Sequence, residues 1–328
     1  MRTSLVNRED VERLLLLAGA IRAGVIDALV REGSHPAADV AAAAGADPRA
    51  TEVVLEALAV EAVVERLTVD GVVLYRLSSL GRAHLVDEGP DLERFGLLHL
   101  AGRIRGWLEL PEIIRSGRPL PRDAAKRDLR TMVSAMGERD PEIVEEVVGR
   151  CLSYAGPIRS MIDIGGAVGH IARRFARSGV RATLFDQDVV IPMAREFLGK
   201  DVDHIALVDG DLTEGLPAGR FDLAYLGNVT HIYDAETNIR LIREVFALLT
   251  PGGTIAIQGY MWGRSARAPM FAVNMLQAAG DGEVWSDGQY REWMAAEGFK
   301  ELETVDLESA DAQIVLGRRP HISDTSGG

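Results

Sequence analysis

Apolar residues recur at helical spacing through the first part of the chain. Residues 18–32, 36–44 and 49–65 each repeat with a period of about 3.6 and predict three helices. Asp47 stands where the third helix would be capped, and Pro48 occupies its first position, a favoured place for proline. The first part of the chain is therefore predicted to be mainly helical.

Residues 67–77 show a strand pattern instead. Asp70-Gly71 lies between two runs of β-prone residues, which is a short-range signal for a hairpin. Three helices followed by a hairpin form the pattern of a winged helix, and we predict such a domain over residues 1–90. Residues 91–155 show helical spacing with a break near Gly117, and we predict a helical linker there.

From about residue 157 the pattern changes to strands that alternate with helices. The predicted strands cover residues 161–164, 182–185, 205–208, 223–226, 254–258, 302–307 and 313–317. This alternation predicts an α/β fold with a Rossmann-like, doubly wound parallel sheet over residues 156–320. The link between the final two strands is too short for a crossover, so the last strand must run antiparallel to its neighbour. Residues 321–328 are predicted to be a disordered tail.

Composition bounds the functions that this chain can have. Hydrophobic residues make up 47% and charged residues 26%, which are ordinary values for a globular protein. The formal net charge of −13 disfavours partners such as nucleic acid or an anionic membrane surface. The single cysteine, Cys151, excludes a disulfide framework within the chain. No apolar run approaches the length of a membrane span or reads as a secretory signal, so we expect a cytoplasmic protein.

A glycine-rich motif lies between a predicted strand and the helix that follows it. It contains one acid and three glycines: Asp163, Gly165, Gly166 and Gly169. The glycines allow a tight turn and close approach of a ligand, and the amides at the helix start suit a carboxylate as well as a phosphate. The dinucleotide fingerprint is excluded, because Ala167 and His170 stand where it requires glycine. A tight turn without a ligand is the alternative.

Two further acids end the next predicted strands. Asp186 lies about twenty residues beyond Gly165, where a carboxylate meets ribose hydroxyls in doubly wound sheets. Asp211, in Gly210-Asp211-Leu212, follows a third strand and could accept from an adenine amino group. The alternative for each acid is a cap or an ordinary loop position.

In this order the motifs resemble those of class I S-adenosylmethionine (SAM)-dependent methyltransferases. The resemblance rests on the loop 163–169, on Asp186 and Asp211, and on Leu249-Thr250-Pro251-Gly252-Gly253. It extends to residues 18–85, which look like the winged-helix dimerisation domain of plant-type and bacterial small-molecule O-methyltransferases. A homodimer through the N-terminal domain is implied, with residues 91–155 contributing to the substrate pocket.

The resemblance also implies roles for individual residues. The Gly165 loop would hold the methionyl part of SAM, Asp186 the ribose, and Asp211 with Leu212 the adenine. Two neighbours complete the predicted cofactor site: Gln187 and Asn228. S-adenosylhomocysteine would be the product. No metal is expected, because the seven histidines lack the spacing of a ligand set.

His231 is the candidate catalytic residue. It lies between a predicted strand and a helix, where open α/β sheets bind ligands, and a neutral imidazole can take a proton from a hydroxyl. The family places its general base here, but Ile232 and Tyr233 replace the usual acid and tryptophan. The family's supporting acid would fall near Val284, with Glu283 one residue away. A histidine that only braces the helix is the alternative.

An apolar segment with one amide is predicted to line the acceptor pocket. The predicted lining residues are Met132, Met136, Met261, Trp262, Phe271, Asn274 and Met275. An adaptable wall rich in methionine suits a flat apolar acceptor, and an amide on an apolar face needs a partner. Plain core packing is the alternative for each methionine.

The leading hypothesis is methyl transfer to the hydroxyl of an aromatic or polyketide-like small molecule. Transfer to nitrogen or carbon, or non-methylating chemistry such as hydroxylation, decarboxylation or cyclisation, is the alternative for the same cofactor. A winged-helix regulator that binds DNA is a distant alternative, because residues 49–65 carry more acids than bases.

Overall fold

The computed structural model describes residues 7–89, 91–119, 128–138, 140–279 and 282–321. The chain divides into two compact units, residues 1–104 and residues 105–328. The predicted tail lies outside the described residues, except for His321.

The first unit is mainly helical and contains one hairpin. Its elements are α1 (Arg8–Arg22), α2 (Val25–Ala28), α3 (Ala37–Ala44), α4 (Pro48–Val60), β1 (Val64–Val69), β2 (Val72–Leu77), α5 (Ser79–Leu85) and the start of α6 (Arg94–Leu108). The Asp47 carboxylate accepts from the Ala50 amide at 2.8 Å and caps α4 as expected. β1 and β2 pair antiparallel around Asp70-Gly71, so the predicted hairpin is confirmed.

Two predicted helices of this unit have different bounds in the structure. The helix expected over residues 18–32 is interrupted, because Gly24 takes a positive φ of 75° between α1 and α2. The helix expected over residues 49–65 ends at Val60. Ala62 has a φ of 58°, which turns the chain so that Val64 enters strand β1 with its side chain in the core. Tertiary packing overrides the helical spacing at both places.

The second unit contains a seven-stranded sheet between helices. Its strands are β3 (Ser160–Ile164), β4 (Arg181–Asp186), β5 (Ile205–Asp209), β6 (Phe221–Gly227), β7 (Leu249–Gly259), β8 (Lys300–Asp306) and β9 (Gln313–Arg318). Its further helices are α7 (Leu110–Ser116), α8 (Leu129–Gly137), α9 (Pro141–Ala155), α10 (His170–Arg177), α11 (Ile191–Leu198), α12 (Ala235–Leu248), α13 (Ala268–Ala278) and α14 (Asp287–Ala296).

The strand order of this sheet is β5-β4-β3-β6-β7-β9-β8. The first five strands in this order pair parallel, whereas β9 pairs antiparallel with both β7 and β8. The predicted α/β class and the antiparallel last strand are therefore confirmed.

The central strands are buried on both faces. Met161 and Ile162 are neighbours on β3, point to opposite faces and are both fully buried. Met161 packs with Val147 of α9 and Phe175 of α10, whereas Ile162 packs with side chains of α12 and α14. Burying a side chain of this size contributes about 1.5–3 kcal/mol, so the apolar strand runs dictate the three-layer arrangement.

β8 closes one edge of the sheet and is irregular. Its register against β9 shifts between Lys300 and Glu303, and Glu301 takes a φ of 53°. The irregularity is a β-bulge, which bends an edge strand and interrupts its ladder.

Candidate active site

The sheet topology places two loops side by side. The strand order runs outward in both directions from β3 and β6, so these adjacent parallel strands form the switch point where α/β sheets bind ligands. The glycine-rich loop follows β3, and the loop that carries His231 follows β6. A Cβ on Gly165 would lie 2.5 Å from Val229 Cγ2, so the two loops are in direct contact.

The glycine-rich loop has a backbone that few side chains tolerate. Gly165 has a φ of 69° and Gly169 a φ of 83°, and Ala167 between them also lies in the left-handed region at 50°. The Gly165 amide donates to the Phe185 carbonyl at 2.8 Å, which ties the loop to the neighbouring strand β4. Left-handed residues without glycine's freedom store strain, which is typical of ligand-binding loops.

Asp163 lies underneath this loop. Its carboxylate is 2% exposed and accepts from the Ala172 amide of α10 at 3.1 Å. A Cβ on Gly166 would lie 2.8 Å from the Asp163 carboxyl carbon, so the loop backbone rests directly on this carboxylate. Asp163 therefore holds the strand, the loop and the helix in register.

Asp186 ends strand β4 beside the same loop. Its oxygens accept from the Ala167 amide at 2.8 Å and from the Gln187 amide at 2.7 Å. Burial raises the pKa of the Asp186 carboxyl, and these two amides oppose that rise. A carboxylate has about four lone-pair sites, so Asp186 keeps acceptor capacity for ligand hydroxyls. Gln187, the next residue, is exposed.

Asp211 follows β5 and is bonded locally. It accepts from the amide of Thr213 at 2.8 Å and from its hydroxyl at 2.7 Å, and these bonds lower the pKa of the carboxyl. Leu212 is half-buried and packs against the core. Asp211 therefore caps its own turn through one oxygen, while the strand order sets it on the same edge as Asp186.

Asn228 and Tyr233 belong to the loop after β6. Asn228 has a φ of 57°, and its amide donates to the Gln258 carbonyl at 2.9 Å. The pKa of Tyr233 is raised by burial and, next, by the nearby carboxylates of Asp211 and Asp186. Tyr233 therefore lies near both acids. The sequence did not predict this position of Tyr233, although an aromatic residue two positions after His231, in a loop at a strand end, was a usable signal.

His231 lies in a 3₁₀ turn formed by Thr230–Ile232. Its ring packs edge-on against Phe271 of α13, with the ring centroids 4.8 Å apart. The residue is half-buried, and desolvation lowers the pKa of its imidazole to about 4. Across the described part of the chain, neither ring nitrogen of His231 has a hydrogen-bond partner.

The positions where the family carries supporting acids hold other residues in the structure. Ile232 is 46% exposed, and Val284 is 1% exposed and packs with Met275 and Ala268. Glu283 is exposed. Among the described residues, burial is the whole cause of the lowered pKa of His231, and no carboxylate contributes to it.

The predicted acceptor residues differ in burial and in what they contact. Phe271 contacts the His231 ring, and Asn274 on the same helix is buried, with its Oδ1 accepting from Gln277 at 2.7 Å. Met275, also on α13, is buried and packs with Ala268 and Val284, and Met261 is fully buried in the core. The other three are exposed: Trp262 at 40%, and Met132 and Met136 of α8 at 40% and 41%. Met261 therefore shows the plain core packing that was its alternative.

In the described residues, no three His, Cys, Asp or Glu side chains are grouped so as to hold a metal ion. Of the helices in the described part, none is long and apolar enough to cross a membrane.

Two family models match the chain. The O-methyltransferase domain model matches residues 123–300, and the O-methyltransferase dimerisation domain model matches residues 16–87. The two matches follow one another along the chain without overlap.

Individual proteins are also similar. The tetracenomycin polyketide synthesis 8-O-methyl transferase of Streptomyces glaucescens is 26% identical over 307 residues, covering 87% of each chain. The 3-amino-4-hydroxybenzoate 4-O-methyltransferase of Streptomyces cremeus is 27% identical, covering 88% of this chain and 83% of that protein.

Among solved structures, human N-acetylserotonin methyltransferase in complex with SAM superposes with a TM-score of 0.72. The two chains are 21% identical, and the match covers 97% of this chain and 99% of the human one. This likeness shows that the fold is shared. With the family models matching both parts of the sequence, the chain belongs to the O-methyltransferase family and is a SAM-dependent methyltransferase.

Proposed function

We propose that this protein transfers a methyl group from SAM to a hydroxyl of an aromatic or polyketide-like small molecule, with His231 as the general base. The observation that carries the proposal is the position of His231. Its ring is half-buried against Phe271, in a loop that contacts the glycine-rich loop through Val229, and both nitrogens are without partners among the described residues. The names of the two Streptomyces relatives, which act on a polyketide and on a hydroxybenzoate, support the acceptor class.

The residues at this edge of the sheet fit SAM. In the first turn of α10, which follows Gly169, the Ala172 amide donates to Asp163, and the Ile171 amide suits the carboxylate of the methionyl group. Asp186 would accept from the ribose hydroxyls, and Asp211 with Leu212 would border the adenine. Tyr233, Gln187 and Asn228 would complete the pocket. When bound, the cofactor supplies an electrophilic methyl group.

The low pKa of His231 determines its protonation state at neutral pH and its strength as a base. At neutral pH the imidazole is uncharged, so one ring nitrogen can accept a proton from the acceptor hydroxyl. An imidazole with a pKa of about 4 is a weak base, and it suits a hydroxyl that is already acidic. Alignment of the reacting groups then supplies much of the rate.

Phe271 and Asn274 would shape the acceptor site. The edge-on contact with Phe271 fixes the plane of the His231 ring, and the Phe271 ring packs in turn against Tyr260 with centroids 4.9 Å apart. The Oδ1 of Asn274 is occupied by Gln277, which leaves its Nδ2 to donate to an acceptor oxygen. Trp262, Met275, Met132 and Met136 are the further proposed lining residues.

We also propose that residues 1–90 form a winged-helix domain through which the chain makes a homodimer in the cytoplasm. The match to the dimerisation model and the helices followed by a hairpin support this assembly. DNA binding is disfavoured, because α4 carries Glu56, which would repel DNA phosphates. Hydrogen bonds from Tyr75 and Arg66 lower the pKa of this carboxyl and so favour its charged form.

Replacing His231 with Ala tests the catalytic role. We expect turnover to fall about 10²- to 10⁴-fold, the usual worth of general-base catalysis, while SAM binding by calorimetry stays within about twofold. The acceptors would be 3-amino-4-hydroxybenzoate and alizarin, with methyl ether and S-adenosylhomocysteine measured by mass spectrometry. His204→Ala, at an exposed histidine, is the matched control. Unchanged turnover in His231→Ala would eliminate the base role.

The side chains at the positions of the family's supporting acids, Ile232 and the buried Val284, favour one alternative, chemistry that uses SAM without transferring its methyl group. Measuring S-adenosylhomocysteine separates methyl transfer from non-methylating chemistry. Methyl transfer makes one S-adenosylhomocysteine for each product molecule, whereas a non-methylating protein makes none. A methylated amine or carbon in place of the methyl ether would instead redirect the proposal to N- or C-methylation.

A further inference from the structure

A buried hydrogen bond anchors the residue before His231. The Thr230 hydroxyl and the Tyr290 hydroxyl share a hydrogen bond of 2.6 Å. Thr230 is 3% exposed and Tyr290, on α14, is 4% exposed. Because neither group can turn to water, the bond fixes the start of the His231 turn to α14.

A buried amide holds the same turn from the other side. The Nδ2 of Asn238 donates to the carbonyls of Thr230 at 2.9 Å, Tyr233 at 3.0 Å and Asp234 at 2.9 Å. Asn238 is fully buried, and its Oδ1 has no partner among the described residues. Leaving that oxygen unpaired costs free energy. The bonds from Nδ2 to the loop carbonyls therefore determine the orientation of the Asn238 side chain.

The segment before α14 packs on the turn itself. A Cβ on Gly282 would overlap the carbonyl oxygen of His231 and would lie 2.9 Å from that of Ile232. The backbone on both sides of His231 is therefore held by Tyr290, Asn238 and Gly282, while the imidazole contacts an apolar ring.

We propose that Tyr290 and Asn238 are positioning residues for His231, which orient the imidazole through its backbone where the family uses a carboxylate. The inference rests on the proposed base role of His231. A carboxylate would both orient the ring and favour its charged form, whereas backbone anchoring orients it without a charge. Orientation matters because a misplacement of about 1 Å can cost about 10²-fold in rate.

The test compares two tyrosines with buried rings whose hydroxyls make hydrogen bonds of equal length, one to a neutral hydroxyl and one to a carboxylate. Tyr290→Phe removes the hydroxyl that bonds Thr230. The control Tyr75→Phe removes a hydroxyl that donates to Glu56, also at 2.6 Å, from a side chain that is 1% exposed in the first unit. We expect similar losses of melting temperature in both variants. Tyr290→Phe should lower kcat at least about tenfold with KM and SAM affinity within about twofold, while Tyr75→Phe keeps kcat within about twofold.

Thr230 provides the conservative rescue. Thr230→Ser keeps the hydroxyl and should retain kcat within about threefold, whereas Thr230→Val should fall with Tyr290→Phe. Asn238→Ala should likewise lower kcat more than it lowers SAM affinity. A role limited to folding would move melting temperature, SAM affinity and kcat together and would not distinguish serine from valine.

The outcomes separate this inference from the function on which it rests. If His231→Ala is inactive but Tyr290→Phe matches Tyr75→Phe in kcat, the positioning role is overturned and the base role stands. If His231→Ala keeps full turnover, the base role has failed, whatever Tyr290→Phe does. A proportional loss of kcat and SAM affinity in Tyr290→Phe would also overturn the positioning role.

Discussion

The environment of His231 makes the stability of the second unit depend on pH in a defined window. The imidazole has a pKa of about 4 in the folded protein, below the ordinary value of 6.5. Between these two values the unfolded chain binds a proton that the folded chain does not. Stability contributed by the neutral ring is therefore complete above the unfolded pKa and is lost as the pH falls toward the folded one.

The magnitude follows from the two pKa values. Between about pH 7.5 and about pH 5, His231 alone should reduce the free energy of unfolding by about 2 kcal/mol. In His231→Asn this contribution is absent, while every other titrating group is kept. The stability gap, which is the difference in free energy of unfolding between wild type and variant, should therefore change by about 2 kcal/mol over that range, because wild type loses more.

Urea unfolding followed by tryptophan fluorescence measures the gap. All four tryptophans lie in the second unit, which also holds His231, so the signal reports on the relevant unit. Parallel curves, with a gap constant to about 0.5 kcal/mol between about pH 7.5 and about pH 5, would refute the argument that burial dominates the His231 environment. An NMR titration would then show its pKa near the ordinary value.

Two further substitutions test the cofactor pocket. Gly165→Ala should destabilise the protein by about 2–4 kcal/mol, because its Cβ would meet Val229, and calorimetry should show no SAM binding. The control Gly179→Ala has a φ of 83° and open space around it, so it should cost only about 1 kcal/mol. Equal effects of the two would contradict the clash. Asp186→Asn should weaken SAM binding about 10- to 100-fold and lower the melting temperature slightly, because one of the two backbone amides loses its acceptor. Asp209→Asn, at the exposed partner position on β5, should do neither, and equal SAM affinities of the two variants would exclude Asp186 from the site.

The parts of the fold that sequence reasoning predicted have local causes. The strands of the large sheet carry runs of buried apolar residues, and the Asp70-Gly71 hairpin carries positive φ values of 50° and 78° at residues suited to them. The glycine-rich loop is equally local, because its turn and its acid lie within seven residues of sequence.

The rest depends on contacts that are distant in sequence. The hydrogen bond between Thr230 and Tyr290 joins positions 60 residues apart. Phe271 reaches His231 from α13, and no spacing rule relates the two. The end of α4 depends on Ala62 in a left-handed conformation, which alanine does not favour and packing imposes. Such features follow from tertiary structure, and no periodic pattern in the sequence indicates them.

The irregular edge strand β8 has a consequence for solubility. A regular exposed strand offers a row of free amides and carbonyls on which another chain can build, and this is how sheets grow into fibres. β8 instead bulges at Glu301 and presents charged side chains along its length: Lys300, Glu301, Glu303 and Asp306. A second copy that approached this edge would meet a broken ladder and mostly negative charge, so the sheet is protected against open-ended growth in a crowded solution.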